Sequence, residues 1–298
     1  MEQSLAIVGA GRVGRALGRR LREEGWKIGA IVTRSEAGSR RAARFIGSGK
    51  PYAGLTRHLL ASSVILIATP DHAIPGVARE LARIGGEELD GKVVLHTSGA
   101  LDSIPLAPLR ECGAAVGGIH PLQTFTGVGV PPLEGRVFAV EGDASAVQAG
   151  RQIARTLGGS PVRIAGQKKT LYHAAAAMAA GHVLALEEAA TLLLVSLGMK
   201  RSEAVRALLP LTRQVLDNFQ RVGPSAAWTG PLARSDYKTV EAHLQALRGS
   251  HEETAAAYET LTRLSARVLS QDAAAMNTEL DKLSVGMKPK TKARGGTA

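Results

Sequence analysis

An apolar run, Leu5-Ala6-Ile7-Val8, passes directly into Gly9-Ala10-Gly11-Arg12-Val13-Gly14 and then into a helical pattern of apolar residues at Val13, Ala16, Leu17 and Leu21. A buried strand, a G-x-G-x-x-G bend and a helix in that order form the phosphate-binding bend of a dinucleotide fold. Each glycine has a mechanical task. Gly9 allows the tight turn out of the strand, Gly11 lets backbone approach a pyrophosphate, and Gly14 lets the helix pack close to the strand. The free N–H groups at the helix start, around Arg12 and Val13, then face the phosphates.

The rest of the first half repeats the alternation. Strand-like runs follow at Lys27–Val32, Val64–Ala68, Lys92–Leu95, Ala114–Gly118, Val137–Val140 and Pro161–Ile164, with helix patterns such as Arg12–Glu24, Ile74–Ile84 and Ala144–Leu157 between them. Apolar strands alternating with helices predict an α/β, doubly wound, mostly parallel Rossmann sheet. After about Gly166 the strand signals stop, and Lys168–Leu197, Ser202–Arg221, Lys238–Leu247 and Glu252–Gln271 read as helices. The expected division is a nucleotide-binding domain over 1–165, an all-helical domain over 166–284 and a basic, disordered tail over 285–298.

Composition narrows the setting. Cys112 is the single cysteine, so no disulfide forms within the chain, and the first strand begins too early for a signal peptide. Both point to the cytoplasm. The most apolar helix pattern, Ala174–Leu197, is interrupted by His182, Glu187 and Glu188, which argues against a membrane span and for burial between helices. The net charge of +11 is concentrated: Arg12–Arg57 holds twelve bases and three acids, and Lys288–Arg294 holds four bases and no acid. No recognition helix or aromatic interleaving accompanies it, which argues against a nucleic-acid partner.

The dinucleotide can be specified further. An NAD site places an acid after the second strand to bind the ribose hydroxyls. This chain has Thr33-Arg34-Ser35 there, a guanidinium flanked by two hydroxyls, which suits a 2′-phosphate. Arg12, Arg40 or Arg41 add to the field, and NADP (NADPH) is the expected cofactor. Ligands lie at the carboxyl ends of strands in such sheets. Thr69-Pro70-Asp71-His72 and His96-Thr97-Ser98-Gly99 should therefore line one crevice, although Asp71 also suits the cap of a helix starting near Ala73.

Four further stretches occur in order: Gly118-Ile119-His120-Pro121-Leu122-Gln123-Thr124-Phe125, Tyr172-His173-Ala174-Ala175-Ala176, Thr229-Gly230-Pro231-Leu232-Ala233-Arg234-Ser235-Asp236, and Thr239-Val240-x-x-His243. With Ser98-Gly99-Ala100 they make the chain resemble a bacterial family of oxidoreductases that joins a Rossmann-like domain to an all-helical C-terminal domain of unknown function, number 2520. That family is similar in architecture to pyrroline-5-carboxylate reductase and ketopantoate reductase. The resemblance implies an NADPH-dependent enzyme, a small anionic substrate such as a keto acid or imine, ketopantoate-like as for some members of the family, and a homodimer built through the helical domain. Two positions depart from the family pattern: Ser235 stands where Arg-Gly-Asp is expected, and Ala180-Gly181 stands where many members carry Ser-Asn.

Hydride transfer to C=O or C=N needs an acid for the heteroatom and a cation for any carboxylate. His173 is the first candidate acid, with Lys169 one turn earlier on the same helix face. His120 is the second, Arg234 the candidate anchor, and Asp236 the residue expected to orient it. Each has a plain structural alternative: core histidines bonded to carbonyls, or an internal salt bridge. His182 and His243 are expected to pack between helices, and His58, His72, His96 and His251 carry no constellation. There is no metal-ligand spacing and no nucleophile elbow. The alternative function is a non-catalytic NADP(H)-binding sensor.

Overall fold

A computed structural model of the protein describes residues 3–286. Among them are strands β1 (Ser4–Val8), β2 (Lys27–Thr33), β3 (Lys50–Ala53), β4 (Val64–Ile67), β5 (Val93–His96), β6 (Ala115–Pro121), β7 (Val137–Gly142) and β8 (Ser160–Arg163). They form one sheet in the order β3-β2-β1-β4-β5-β6-β7-β8, and every neighbouring pair is parallel except β6 with β7. The expected doubly wound, mostly parallel sheet is therefore present.

Strand alternation sorts the core into two layers. Leu5 and Ile7 of β1 join one cluster with Leu17 and Leu21 of α1 (Arg12–Glu23), Ile46 of α2 (Glu36–Ile46) and Ile153 of α5 (Ala144–Thr156). Ala6 and Val8 join the other, with Ile74 and Leu81 of α3 (Ile74–Gly85) and Leu109 of α4 (Ala107–Glu111). Each fully buried Leu or Ile contributes about 1.5–3 kcal/mol, so these layers dominate the stability of this half.

Two features were outside the sequence reading. Strand β3 carries Pro51, which removes a ladder donor and hides the strand signal, and it lies at the edge beside β2. Strand β7 reverses direction, which periodicity does not report.

The chain divides into two compact units, Met1–His182 and Val183–Ala298. After β8 come α6 (Lys169–Ala177), a π-turn over Met178–His182, and α7 (Val183–Ser196). The units thus separate inside the long helical stretch, later than the end of the strand-forming region. The second unit continues with α8 (Arg201–Ala227), α9 (Tyr237–Arg248), α10 (Glu252–Leu269) and α11 (Ala273–Gly286). Helix α8 kinks at Gly223, where φ is 77° just before Pro224. Leu232, Val240, Leu244, Ala266, Met276 and Leu280 form its buried cluster. His243 is exposed on α9 rather than packed between helices, its Nδ1 2.8 Å from the Tyr258 hydroxyl of α10. His182 is exposed too, at the end of the π-turn. Helix α11 reaches Gly286, and from residue 287 the expected tail lies outside the described residues.

Burial of the apolar helix between others is not met within one chain. Gly166–Ser196 is long and apolar enough to cross a membrane, and only 6% of its most apolar window is buried. Leu184 and Leu192 of α7 and Leu211, Leu216 and Phe219 of α8 are exposed.

Candidate functional site

The bend after β1 behaves as its glycines require. Gly9 has φ +84°, and a Cβ there would fall 2.7 Å from the Thr69 methyl group and 2.8 Å from the Ala68 carbonyl. A Cβ on Gly14 would fall 2.9 Å from that of Ala68, so this glycine seats the helix on the sheet. Gly11 is different: no protein atom lies within 4 Å of a Cβ built there, so nothing in the fold itself demands glycine. Gly11 itself stands at the N-cap of α1. Helix α1 has no side-chain cap and no acid in its first turn, leaving its N–H groups for an anion.

A cavity of about 710 Å³ opens at this bend, lined among others by Gly9, Gly11, Thr33, Arg34, Ser35 and Thr69. Thr69 Oγ1 is buried and has no hydrogen-bond partner among the described residues. An orphan hydroxyl in a cavity wall awaits a polar ligand. Thr33 donates its hydroxyl proton to Ser35 O at 2.7 Å, so it meets a ligand as an acceptor and has no proton left for a 2′-phosphate. Ser35 Oγ caps α2 by accepting from Gly38 N and keeps its own proton. Pro70 also lines the cavity, and so do Arg15 and Arg41. Arg12 does not: its side chain lies against Gly127, and Val13 packs on the core instead. Arg40 is paired with Glu36. The residues present fit a phosphorylated dinucleotide.

Asp71 and Ser98 join the two crevice loops. Ser98 Oγ donates to Asp71 Oδ2 at 2.7 Å and accepts from Ala100 N and Leu101 N. Asp71 therefore ties β4's loop to β5's rather than capping α3, whose start has no side-chain cap.

Beneath this loop lies a polar row that spacing did not reveal. Pairing across β5, β6 and β7 sets His96, Gly118 and Glu141 side by side. Gly118 lacks a side chain, and the space takes the Lys169 ammonium: a Cβ there would fall 2.7 Å from Lys169 Nζ and 2.7 Å from Glu141 Oε1. Lys169 donates to Ser98 O at 2.8 Å and lies 3.8 Å from Glu141 Oε1. His96 Nδ1 accepts from Ser98 N and its Nε2 lies 2.8 Å from Asp102 O, which fixes the neutral Nε2–H tautomer. Burial, then the nearby Lys169 charge, pushes His96 down to about 4. Burial also raises Glu141 and lowers Lys169.

Lys169 and His173 do share one helix face, as expected, but with different tasks. Lys169 is 1% exposed and grips the loop from behind, so it is a positioning residue rather than a group in the cavity. His173 packs on the front of the same loop, its Cδ2 against Gly99. His120 Nε2 lies on Gly99 too, 2.8 Å from where a Cβ would stand. The two rings are 5.7 Å apart and nearly perpendicular. A second cavity of about 500 Å³ begins here, walled by His120, His173, Tyr172, Gln123, Ala176 and Ala180 among others. Burial, then His173, pushes His120 down to about 4.

Arg234 and Asp236 belong to the second unit. Asp236 accepts from Thr239 N at 3.1 Å and from Thr239 Oγ1 at 2.7 Å, capping α9. Its carboxylate is thus occupied by Thr239 and forms no ion pair with Arg234 among the described residues. Ser235 has φ 56°, the left-handed region, which suits the glycine expected at this position and costs a non-glycine residue about 1–2 kcal/mol. No group of three or more ligating side chains suited to a metal occurs among the described residues.

Comparison with known proteins divides the chain earlier, between β6 and β7. Residues 2–121 match the Rossmann-like domain, and residues 136–265 match the Domain of unknown function (DUF2520). The chain carries a Rossmann-like domain followed by a DUF2520 domain. The DUF2520 match begins at β7, so the reversed strand and α6, with Lys169, Tyr172 and His173, belong to it. No curated protein matches the sequence. The fold is similar to that of protein TM1727 from Thermotoga maritima, at 26% identity and a TM-score of 0.68 over 93% of this chain and 98% of that one. It is also similar to a reductive aminase from Aspergillus terreus in complex with NADPH and ethyl-5-oxohexanoate, at 17% identity and a TM-score of 0.62 over 96% of this chain and 94% of that one. A third is 1-pyrroline-5-carboxylate reductase from Streptococcus pyogenes, at 16% identity and a TM-score of 0.58 over 95% of this chain and 98% of that one.

Proposed function

We propose that the protein is a cytoplasmic NADPH-dependent oxidoreductase that reduces a C=O or C=N bond of a small molecule. The observation that carries this reading is the first cavity: an uncapped helix start, an open Gly11, an orphan Thr69 hydroxyl, and Arg34 where an NAD site has an acid. The similarity to NADPH-bound reductive aminase agrees with it. N–H groups from Gly11 to Gly14 would hold the pyrophosphate, and Arg34, Ser35 and Arg41 the 2′-phosphate. Bound there, the reduced nicotinamide supplies a hydride. His120 and His173, converging on Gly99, hold the acceptor's heteroatom by hydrogen bonds. Lys169 and Asp71 keep the Ser98–Gly99 loop beneath them.

The same reading makes the protein a homodimer. A second copy covering the apolar faces of α7 and α8 accounts for large apolar side chains left in solvent. Sedimentation should give twice the 31.1 kDa chain mass, and a monomer at micromolar concentration would refute the pairing.

Purified protein should bind NADPH and oxidise it when offered a panel of branched keto acids and cyclic imines. Binding without turnover across both classes would favour an NADP(H) sensor. Absence of binding would remove the reading altogether.

A further inference from the structure

We propose that Tyr172 and His120 form a proton relay, in which the phenol donates to His120 Nδ1 and so turns an Nε2–H toward the acceptor in the cavity. The inference rests on the reductase reading and deepens it. It gives a role to Tyr172, which opens the Tyr172-His173-Ala174-Ala175-Ala176 stretch without an assigned task, and it selects a carbonyl as the acceptor.

Four observations carry it. The Tyr172 hydroxyl is 3.0 Å from His120 Nδ1, and the rings meet edge to face at 5.6 Å. Tyr172 and His120 both line the second cavity. His120 Nε2 rests on Gly99 and has no protein partner among the described residues, so it is free for a ligand. Lys169, the cation closest in sequence, is turned away and engaged with Ser98 O, so it does not compete as the acid. Tyr172 and His173 pack against His120, and the charges of Lys169, Asp71 and His96 also act on it. Burial raises Tyr172, so it stays protonated and acts as the donor to Nδ1.

The step balances. The carbonyl carbon takes the hydride from the reduced nicotinamide, and the C=O π pair moves to oxygen. Oxygen takes the Nε2 proton of His120, Nδ1 takes the phenol proton, and the phenolate recovers a proton from water. His120 changes tautomer and never becomes a cation. A developing alkoxide is basic enough to draw this proton. An imine nitrogen must be protonated before hydride arrives, and a neutral imidazole is too weak an acid for that.

The test uses the full-length protein with isotope-labelled histidine and needs no substrate for its first readout. Nitrogen NMR at neutral pH should show His120 as the Nε2–H tautomer, and Tyr172→Phe should convert it to a mixture. With a branched keto acid found active in the panel, Tyr172→Phe should lower kcat about 10- to 100-fold with KM within about twofold. Its residual rate should fall as pH rises, because only a His120 cation can then donate, whereas the wild-type rate stays level through neutral pH. A wild-type Nδ1–H tautomer, or an unchanged spectrum and pH profile in the variant, overturns the relay. NADPH binding to both proteins keeps that outcome separate from failure of the reductase reading. Should Tyr172→Phe fail to fold, fluorotyrosine at 172 must shift the alkaline fall of kcat to lower pH. An unmoved limb overturns the relay equally.

Discussion

Arg34→Glu should reverse the coenzyme preference, weakening NADPH about 100- to 1,000-fold while leaving NADH within a few fold. The guanidinium stands at the cavity wall after β2 and forms no ion pair among the described residues, so its charge is available. A hydrogen bond to a charged group contributes about 1.5–3 kcal/mol, and 1.4 kcal/mol is tenfold in affinity. Replacing cation by carboxylate adds repulsion of a doubly charged phosphate to that loss. Arg34→Ala should show the first component only, about 10- to 100-fold. Calorimetric titration of both coenzymes against the three proteins decides it. Equal NADPH affinity in wild type and Arg34→Glu would move the 2′-phosphate to Arg41, which lines the same cavity.

Mild acid should unfold the protein through two histidines. Native His96 and His120 are held near 4, against an ordinary value of 6.5. The unfolded chain therefore takes up protons that the native protein refuses until the pH reaches about 4. Their contribution is complete above 6.5 and is lost as pH falls through that interval. Each unit of pH removes about 1.4 kcal/mol per histidine. His96 carries the larger share, about 3 kcal/mol, because it is fully enclosed. His120 carries less, because it is part-exposed and solvent screens it. Glu141 works in the opposite sense: burial raises it, so its contribution is greatest in acid and declines as pH rises through the raised value. Urea unfolding at pH 7, 6 and 5 should show this steep decline for the wild type. His96→Gln removes one titrating group and should flatten it, and an unchanged slope would show that His96 is not excluded from protonation.

Local features of the chain were legible in its sequence, and cross-strand ones were not. The β1–bend–α1 unit is written in ten consecutive residues: Gly9 and Gly14 meet the close neighbours their spacing implies, and Gly11 stays open, as the approach of a pyrophosphate requires. Thr69 and Asp71 were legible because ligand loops follow strand ends. Arg15 lines the cavity where Arg12 was expected, its guanidinium donating to Gly127 O of a distant loop at 2.9 Å, a contact that local spacing does not reveal. Glu141 passed unnoticed, and His96, expected to carry no constellation, stands in one with Glu141 and Lys169, because their row is assembled by strand register, partly through an antiparallel pair that follows parallel ones. Lys169 was legible as a neighbour of His173 but not as a buried group, since its destination is a hole left by Gly118. Tyr172 sat within a recognised motif beside His173, yet only the fold brings it to His120. The helical unit was legible as helices; the exposure of α7 and α8 was not, because apolar composition does not say what covers it.

Both rims of the sheet end in a proline-bearing, basic strand: Lys50-Pro51-Tyr52-Ala53 on one side and Ser160-Pro161-Val162-Arg163 on the other. A proline offers no amide to an incoming ribbon, and a lysine or arginine discourages stacking against a like rim. Neither border is a template for strand addition or fibril growth. Self-association of this chain is thereby steered away from backbone pairing and toward side-chain surfaces, where it can be specific and finite.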